Sequence, residues 1–143
     1  MFDDVKARLE ASVPDLAGRI EGAAEFSALQ RDNRLPQSTV AAFVLPLGLT
    51  GGQATYATGL FAQALTRSVG VLLFFSSTDR TGERALERLE PFVDEVIAAI
   101  AGWAPADEVG VFELARAGLV SVGKGRMAYQ IDFRINDQLR IPA

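Results

Sequence analysis

Residues Leu60 to Trp103 constrain most strongly what this chain can fold into. From Leu60 to Phe75, the positions Phe61, Leu65, Val69, Val71, Leu73 and Phe75 fall on one side of an extended backbone. The other side starts small and polar, with Ala62, Ala64, Thr66 and Ser68, and turns apolar only at Leu72 and Phe74. Alternation of this kind predicts a strand covered on one face throughout and on both faces at its end. A polar break, Ser76-Ser77-Thr78-Asp79, precedes a helical pattern. At about 100° per residue, Leu86, Leu89, Phe92, Val93, Val96, Ile97 and Ile100 fill one apolar arc. Arg80, Arg84 and Arg88 line the far side, with Glu83, Glu87, Glu90 and Asp94 in a stripe beside them. Such an arc needs a sheet to lie on, and the preceding strand belongs to that sheet. Pro91 interrupts the pattern but falls on the solvent side, where a proline is tolerated. The expectation is one kinked helix, or else two shorter ones. Gly102 ends it, and Trp103 covers the end of the core.

The rest of the chain supplies partners for this unit. Phe2, Val5, Leu9 and Val13 recur at helical spacing until Pro14, with Asp3 and Asp4 in the first turn where the helix dipole favours them. Arg19 to Gly22 reads as a short strand and Ala23 to Arg31 as a small helix anchored by Phe26 and Leu29. Asn33-Arg34-Leu35-Pro36 is a loop, because the residue before proline avoids the α region. Thr39 to Leu47 is apolar on both faces and reads as a central strand. Gly48 to Gly59 is glycine-rich, small and polar without a period, which predicts a long loop or an extended hairpin tip. Unstructured connections of about a dozen residues are uncommon and are usually functional or mobile. Val111 to Val122 favours strand, with Gly118 as a bulge or close-contact point, and Val122-Gly123-Lys124-Gly125 makes a tight turn. In the last strand Met127, Tyr129, Ile131, Phe133 and Ile135 face one way and Arg126, Gln130, Asp132 and Arg134 the other. The expected fold is α+β: one domain over residues 1–143, a single-layer mixed or antiparallel sheet of four to five strands, with the long amphipathic helix and the N-terminal helix packed on it.

Chemistry is constrained chiefly by what is missing. The 143 residues contain no cysteine and no histidine, which removes disulfides, thiolate catalysis, sulfur-ligated metals and the commonest general base. No Asp-x-Asp or EF-hand spacing replaces them, so no metal or cofactor is expected. A net charge of -4 disfavours a general grip on nucleic acid. The acidic N-terminus shows no secretory h-region, and the apolar run Val69 to Phe75 is too short to cross a bilayer; a protein kept soluble in a cytoplasm is expected, with no membrane partner. Gly118 to Gly125 has G-x-x-x-x-G-K spacing but lacks the following Ser or Thr, and both flanks alternate as strands, so a hairpin turn is the better reading than a phosphate loop. Glu83, Glu87, Glu90 and Asp94 sit beside arginines on a solvent face, which suits solvation better than acid–base work. No nucleophile motif accompanies the serines or the two lysines, and Trp103 and Tyr129 read as core aromatics.

Charge is unevenly distributed along the chain. Asp79 to Glu113 holds nine acidic and three basic residues, whereas Arg116 to Arg140 holds five basic and two acidic. Opposite patches of this kind would let identical copies join head to tail, a contact that makes a ring if it closes. The alternative is that the patches neutralise each other within one subunit.

The chain also resembles a known family. Val13-Pro14-Asp15-Leu16 followed by Arg19-Ile20-Glu21-Gly22-Ala23, Leu35-Pro36 before Ala42-Phe43-Val44-Leu45, Gly102-Trp103-Ala104-Pro105, Gly118-Leu119-Val120 and Tyr129-Gln130-Ile131-Asp132-Phe133 are similar to tail terminator proteins of tailed phages, prophages and gene-transfer particles. The resemblance implies a structural virion protein without catalytic residues. Six copies would ring the head-proximal end of the tail tube, stop further tube subunits adding and face the neck or head-completion protein, after assembly in a bacterial cytoplasm. On that reading the tip residues Gly51, Gly52, Gln53, Thr55, Tyr56 and Thr58, with the outward row Arg126, Gln130 and Arg134, serve ring or tube contacts. A head-side neck or tail-completion protein is the nearest alternative, and a small-ligand-binding α+β module a different one.

Overall fold

A computed structural model describes residues 1–32, 40–76, 83–105, 110–123 and 126–142, with the backbone alone for 83–86, 122 and 123. The elements are α1 (Phe2–Ser12), a 3-10 turn (Pro14–Leu16), β1 (Ile20–Glu21), α2 (Ala23–Arg31), β2 (Val40–Ala57), β3 (Leu60–Ser76), α3 (Glu83–Ile100), β4 (Glu113–Gly123) and β5 (Arg126–Pro142). The five strands form one sheet in the order β1-β2-β3-β5-β4. β1 runs parallel to β2 and the other pairs are antiparallel, so the sheet is mixed. The architecture is α+β, as the order of patterns predicts.

The run that alternates after Leu60 becomes β3, the middle strand. The segment that reads as central from the sequence, Thr39 to Leu47, contributes to β2; its residues 40–44 are buried, but its outer neighbour β1 is only two residues long. One side of the sheet carries Val40, Ala42, Val44, Val69, Val71, Leu73, Phe75, Met127, Ile131, Phe133 and Ile135. Val5, Leu9 and Val13 of the N-terminal segment and Phe92, Val96 and Ile100 of α3 complete that core. The other side has a smaller cluster, Ala41, Phe43, Leu72 and Ala128, beneath Phe26 and Leu29 of α2. Phe26, Phe43 and Phe74 pack there with ring centroids 5.2 to 6.3 Å apart. A parallel strand pair requires a crossover, and the chain from β1 through α2 to β2 provides one. That crossover puts α2 on the face opposite α1 and α3.

Helix ends explain two boundaries. Glu25 accepts a hydrogen bond from the Gly22 amide through Oε2 at 3.1 Å, satisfying an amide at the start of α2. α3 stops where Gly102 adopts a φ of 80°, and the Gly102 amide donates to the Phe112 carbonyl at 2.8 Å. Arg8 then ties the two helices of the main core together. Its Nε donates to the Ala99 carbonyl at 2.9 Å, and its guanidinium carbon lies 5.3 Å from the centre of the Trp103 ring. A cation at the last carbonyls of a helix is favoured by the dipole.

One expectation needs correction and two stated alternatives are decided. Gly48 to Ala57 is not a loop: it is the outer half of β2, paired with β3 as far as Ala57 opposite Leu60, which selects the extended hairpin. Its lack of period reflects bulges between Pro46 and Gly48 and between Gly51 and Ala54, each of which interrupts the alternation. Gly118 is neither bulge nor close contact, since it pairs regularly with Gln130 and a Cβ there would meet nothing within 4 Å. The bulges of β4 lie on either side of it, at Leu114/Arg116 and Leu119/Ser121. The alternative of two short helices around Pro91 does not occur; α3 is one helix with Pro91 exposed inside it. Expected features at 33–36, at 77–80 and at the Lys124-Gly125 turn lie outside the described residues.

Two substitutions test this packing by urea denaturation. Ile131 is fully buried, so Ile131→Ala should lower stability by about 2–5 kcal/mol. Pro91→Ala should instead raise it, by up to about 3 kcal/mol, because an exposed helix interior gains an amide donor and loses the clash with the preceding turn. A neutral Ile131→Ala or a destabilising Pro91→Ala would contradict the packing described.

Candidate assembly surfaces

The sheet is much longer than the helices that cover it. From Pro46 to Leu60 every residue is exposed except half-buried Ala54. These residues, with Leu60 to Ser68 of β3 and the end of β5, form a three-stranded tongue about 25 Å long at roughly 3.3 Å per residue. The hairpin turns at Thr58-Gly59, where Gly59 has a φ of 85°. Glycine is needed again at the bulge: a Cβ at Gly51 would stand 2.7 Å from Nε2 of Gln63, which donates across the strand to the Gly52 carbonyl at 3.1 Å.

The two faces of the tongue differ. On the side opposite the main core, Ala62, Ala64, Thr66 and Ser68 of β3 pair with Arg140, Gln138, Asn136 and Arg134 of β5. That side is small and polar. On the side continuous with the main core, Tyr56, Phe61 and Ile141 form a row across three strands, and Leu139 and Leu65 lie behind it. The Tyr56 and Phe61 rings sit 5.2 Å apart, yet Tyr56 is 83% exposed and Ile141 49% exposed. Arg67 stands at the root of this face, between Leu49 and Ile135. Its Nε is buried without a hydrogen-bond partner among the described residues.

The candidate residues read from sequence do not form one surface. Gly51, Gly52, Gln53, Thr55, Tyr56 and Thr58 belong to the tongue. Arg126, Gln130 and Arg134 share one face of β5, opposite Ser76, Leu72 and Ser68. Arg126 is therefore about 36 Å along β3 from the Gly51–Leu65 pair. Nor is the row uniformly basic: Arg134 Nε meets Glu113 Oε2 at 3.2 Å, Arg116 Nε lies 3.7 Å from Asp132 Oδ2, and Gln130 donates to Asp132 Oδ1 at 2.8 Å. Only Arg126 is exposed and unpaired among the described residues of that row. The acidic residues Glu87, Glu90 and Asp94 of α3 are exposed, as the helical angles predict. Sequence reasoning missed the apolar row of the tongue, although a signal exists: Ile135, Asp137, Leu139 and Ile141 continue the alternation past the end of the predicted row at Ile135.

Among the described residues there is no buried polar or charged side chain and no cluster of metal-ligating groups. What the structure presents is surface. The model of the phage tail terminator protein family matches residues 2–142. The chain belongs to that family. This tail terminator protein is accordingly a structural component of a virion tail. No curated protein matches it. Among solved structures it is similar to a chain in the virion of a native gene transfer agent particle, at 13% identity and a TM-score of 0.58, over 97% of this chain and 95% of that one. At that identity the likeness concerns the fold.

The ion pairs on β5 are surface pairs, with Arg134 and Glu113 each half exposed. A double-mutant cycle on Arg134→Ala and Glu113→Ala, read by denaturation, should give a coupling of about 0.5 kcal/mol or less. A coupling well above that would make the pair part of the folding machinery and not of an outer surface.

Proposed function

We propose that this terminator acts mechanically, as a hexameric ring that caps the tail tube at its head-proximal end. The ring ends tube polymerisation and offers a joining face to the neck or head-completion protein. Family membership over 2–142 carries the reading, and a tongue that no described helix covers, with exposed Tyr56 and Ile141, supports it, because exposed apolar patches mark sites for a partner. Its partners are further copies of itself, the tail tube protein and the neck, and its assembly takes place in the bacterial host. Within this reading the tongue residues Gly51, Gly52, Gln53, Thr55, Tyr56 and Thr58 and the β5 residues Arg126, Gln130 and Arg134 make ring or tube contacts. Their separation along the sheet favours two contact zones over one. The acidic face of α3 and unpaired Arg126 keep a head-to-tail charge attraction available, although Glu113 and Asp132 already neutralise part of the basic segment within the subunit.

Purified tail tubes incubated with the protein should stop growing and show a cap of subunit rings by electron microscopy, with no nucleotide, metal or cofactor added. Tubes that lengthen as fast with the protein as without it would overturn this function. Arg126→Glu with Arg134→Glu should lower the fraction of capped tubes while leaving the thermal midpoint within a few degrees of the parent, since exposed substitutions change stability by about 0.5 kcal/mol or less. Unchanged capping by the charge-reversed protein would remove those residues from the contact.

A further inference from the structure

The main-core side of the sheet carries two apolar patches that no described part of the subunit covers. One is the tongue row, where Tyr56 and Ile141 are exposed on either side of half-buried Phe61. The other lies on edge strand β4, where Leu114 and Leu119 are 41% and 50% exposed. Leu114 and Leu119 pair with Phe133 and Tyr129, so both point to the same side of the sheet as the tongue row. Tyr129 pairs in turn with Leu73, twelve residues along β3 from Phe61. That is about 40 Å of paired strand, and a continuous three-stranded sheet does not fold back on itself over such a distance. The two patches of one copy therefore do not meet each other.

We infer that the tongue of one copy packs its apolar row on the β4 edge of the next copy, so that each subunit gives one patch and receives the other. This rests on the ring reading above and names the surfaces that would close it. The occupant is another copy of this chain because the surfaces match in two respects. Apolar area faces apolar area, and the tongue brings an arginine at its root while the receiving side carries exposed carboxylates. Arg67 stands at the root of the tongue with its Nε buried and unpartnered among the described residues. Glu87, Glu90 and Asp94 are exposed on α3, the helix that overlies the same side of the sheet as the β4 patch. The Arg67 side chain as a whole is only half-buried, so a carboxylate arriving from a neighbour is able to pair with its guanidinium. Where each copy gives its tongue to one neighbour and receives that of another, the contact is heterologous and generates a closed ring or an open filament. Direct backbone pairing between edges suits these strands less well, since β2 is interrupted by Pro46 and two bulges, and β4 by two bulges.

The absence of cysteine makes the test direct. Full-length Tyr56→Cys/Leu119→Cys and each single variant are treated with a short bismaleimide, free in solution and assembled on tail tubes, and run on denaturing gels. Tyr56 and Leu119 are exposed, so the variants should keep the parent's circular dichroism and melting temperature. The double variant should give a ladder of multimers ending at the closed ring, and each single variant only monomer. Dimers from Tyr56→Cys alone would mean tongue-to-tongue pairing and overturn the inference. Monomer from the double variant, in samples where the parent forms rings by light scattering or microscopy, would overturn it and leave the ring standing. A parent that forms no ring either in solution or on tubes would bring down the ring reading itself.

Discussion

Backbone pairing on both sides of β3 is the interaction on which the rest of the structure depends. All seventeen of its residues have a partner on β5, and nearly all have one on β2. A strand held on both edges cannot slip by one residue without moving every apolar side chain to the wrong face. The buried half supplies that penalty, because Val69, Val71, Leu73 and Phe75 face α1 and α3 while Leu72 and Phe74 face α2. The exposed half inherits the register. A three-stranded tongue bare on both faces would be marginal alone, and it persists here as the continuation of strands anchored in a core.

The helices serve the sheet in different ways. α3 covers the middle of the main-core side, with its apolar residues down and Pro91 on the solvent side where the missing amide leaves nothing buried unsatisfied. α1 lies beside it, joined through the contact of Arg8 with the end of α3 and with Trp103. α2 reaches the reverse side because the parallel β1–β2 pair requires the chain to cross over. Helical cover ends near Ser68 and Arg134, and beyond that point no described helix overlies the sheet.

A molecule divided in this way, with a helically covered body and a bare sheet extension, fits a family whose members are virion tail components. Its surface offers an aromatic and aliphatic row, an edge strand with outward leucines and a carboxylate stripe. Position along the sheet matters as much as composition. The tongue and the Arg126 end of β5 lie far apart, so one subunit is able to touch different neighbours at its two ends.

Alternation and helical periodicity by themselves determine most of the elements: α2 from Ala23 to Arg31, β3 from Leu60, one face of β5, and the exposed proline of α3 all follow from local side-chain spacing. The resemblance to tail terminators is likewise legible in short motifs spread over the chain. Local spacing fails wherever pairing breaks the period. Pro46 and the glycines of the Gly48–Ala57 arm resemble a loop in isolation, and only the facing strand supplies the hydrogen bonds that make it a strand with bulges. The β4 bulges around Gly118 are hidden for the same reason. Tertiary structure alone decides that Arg134 and Asp132 are paired within the subunit, that Arg126 stands far from the tongue, and that the Arg67 Nε lacks a partner among the described residues. Those facts depend on which strands become neighbours and in what register, a property of the whole sheet that no local pattern contains.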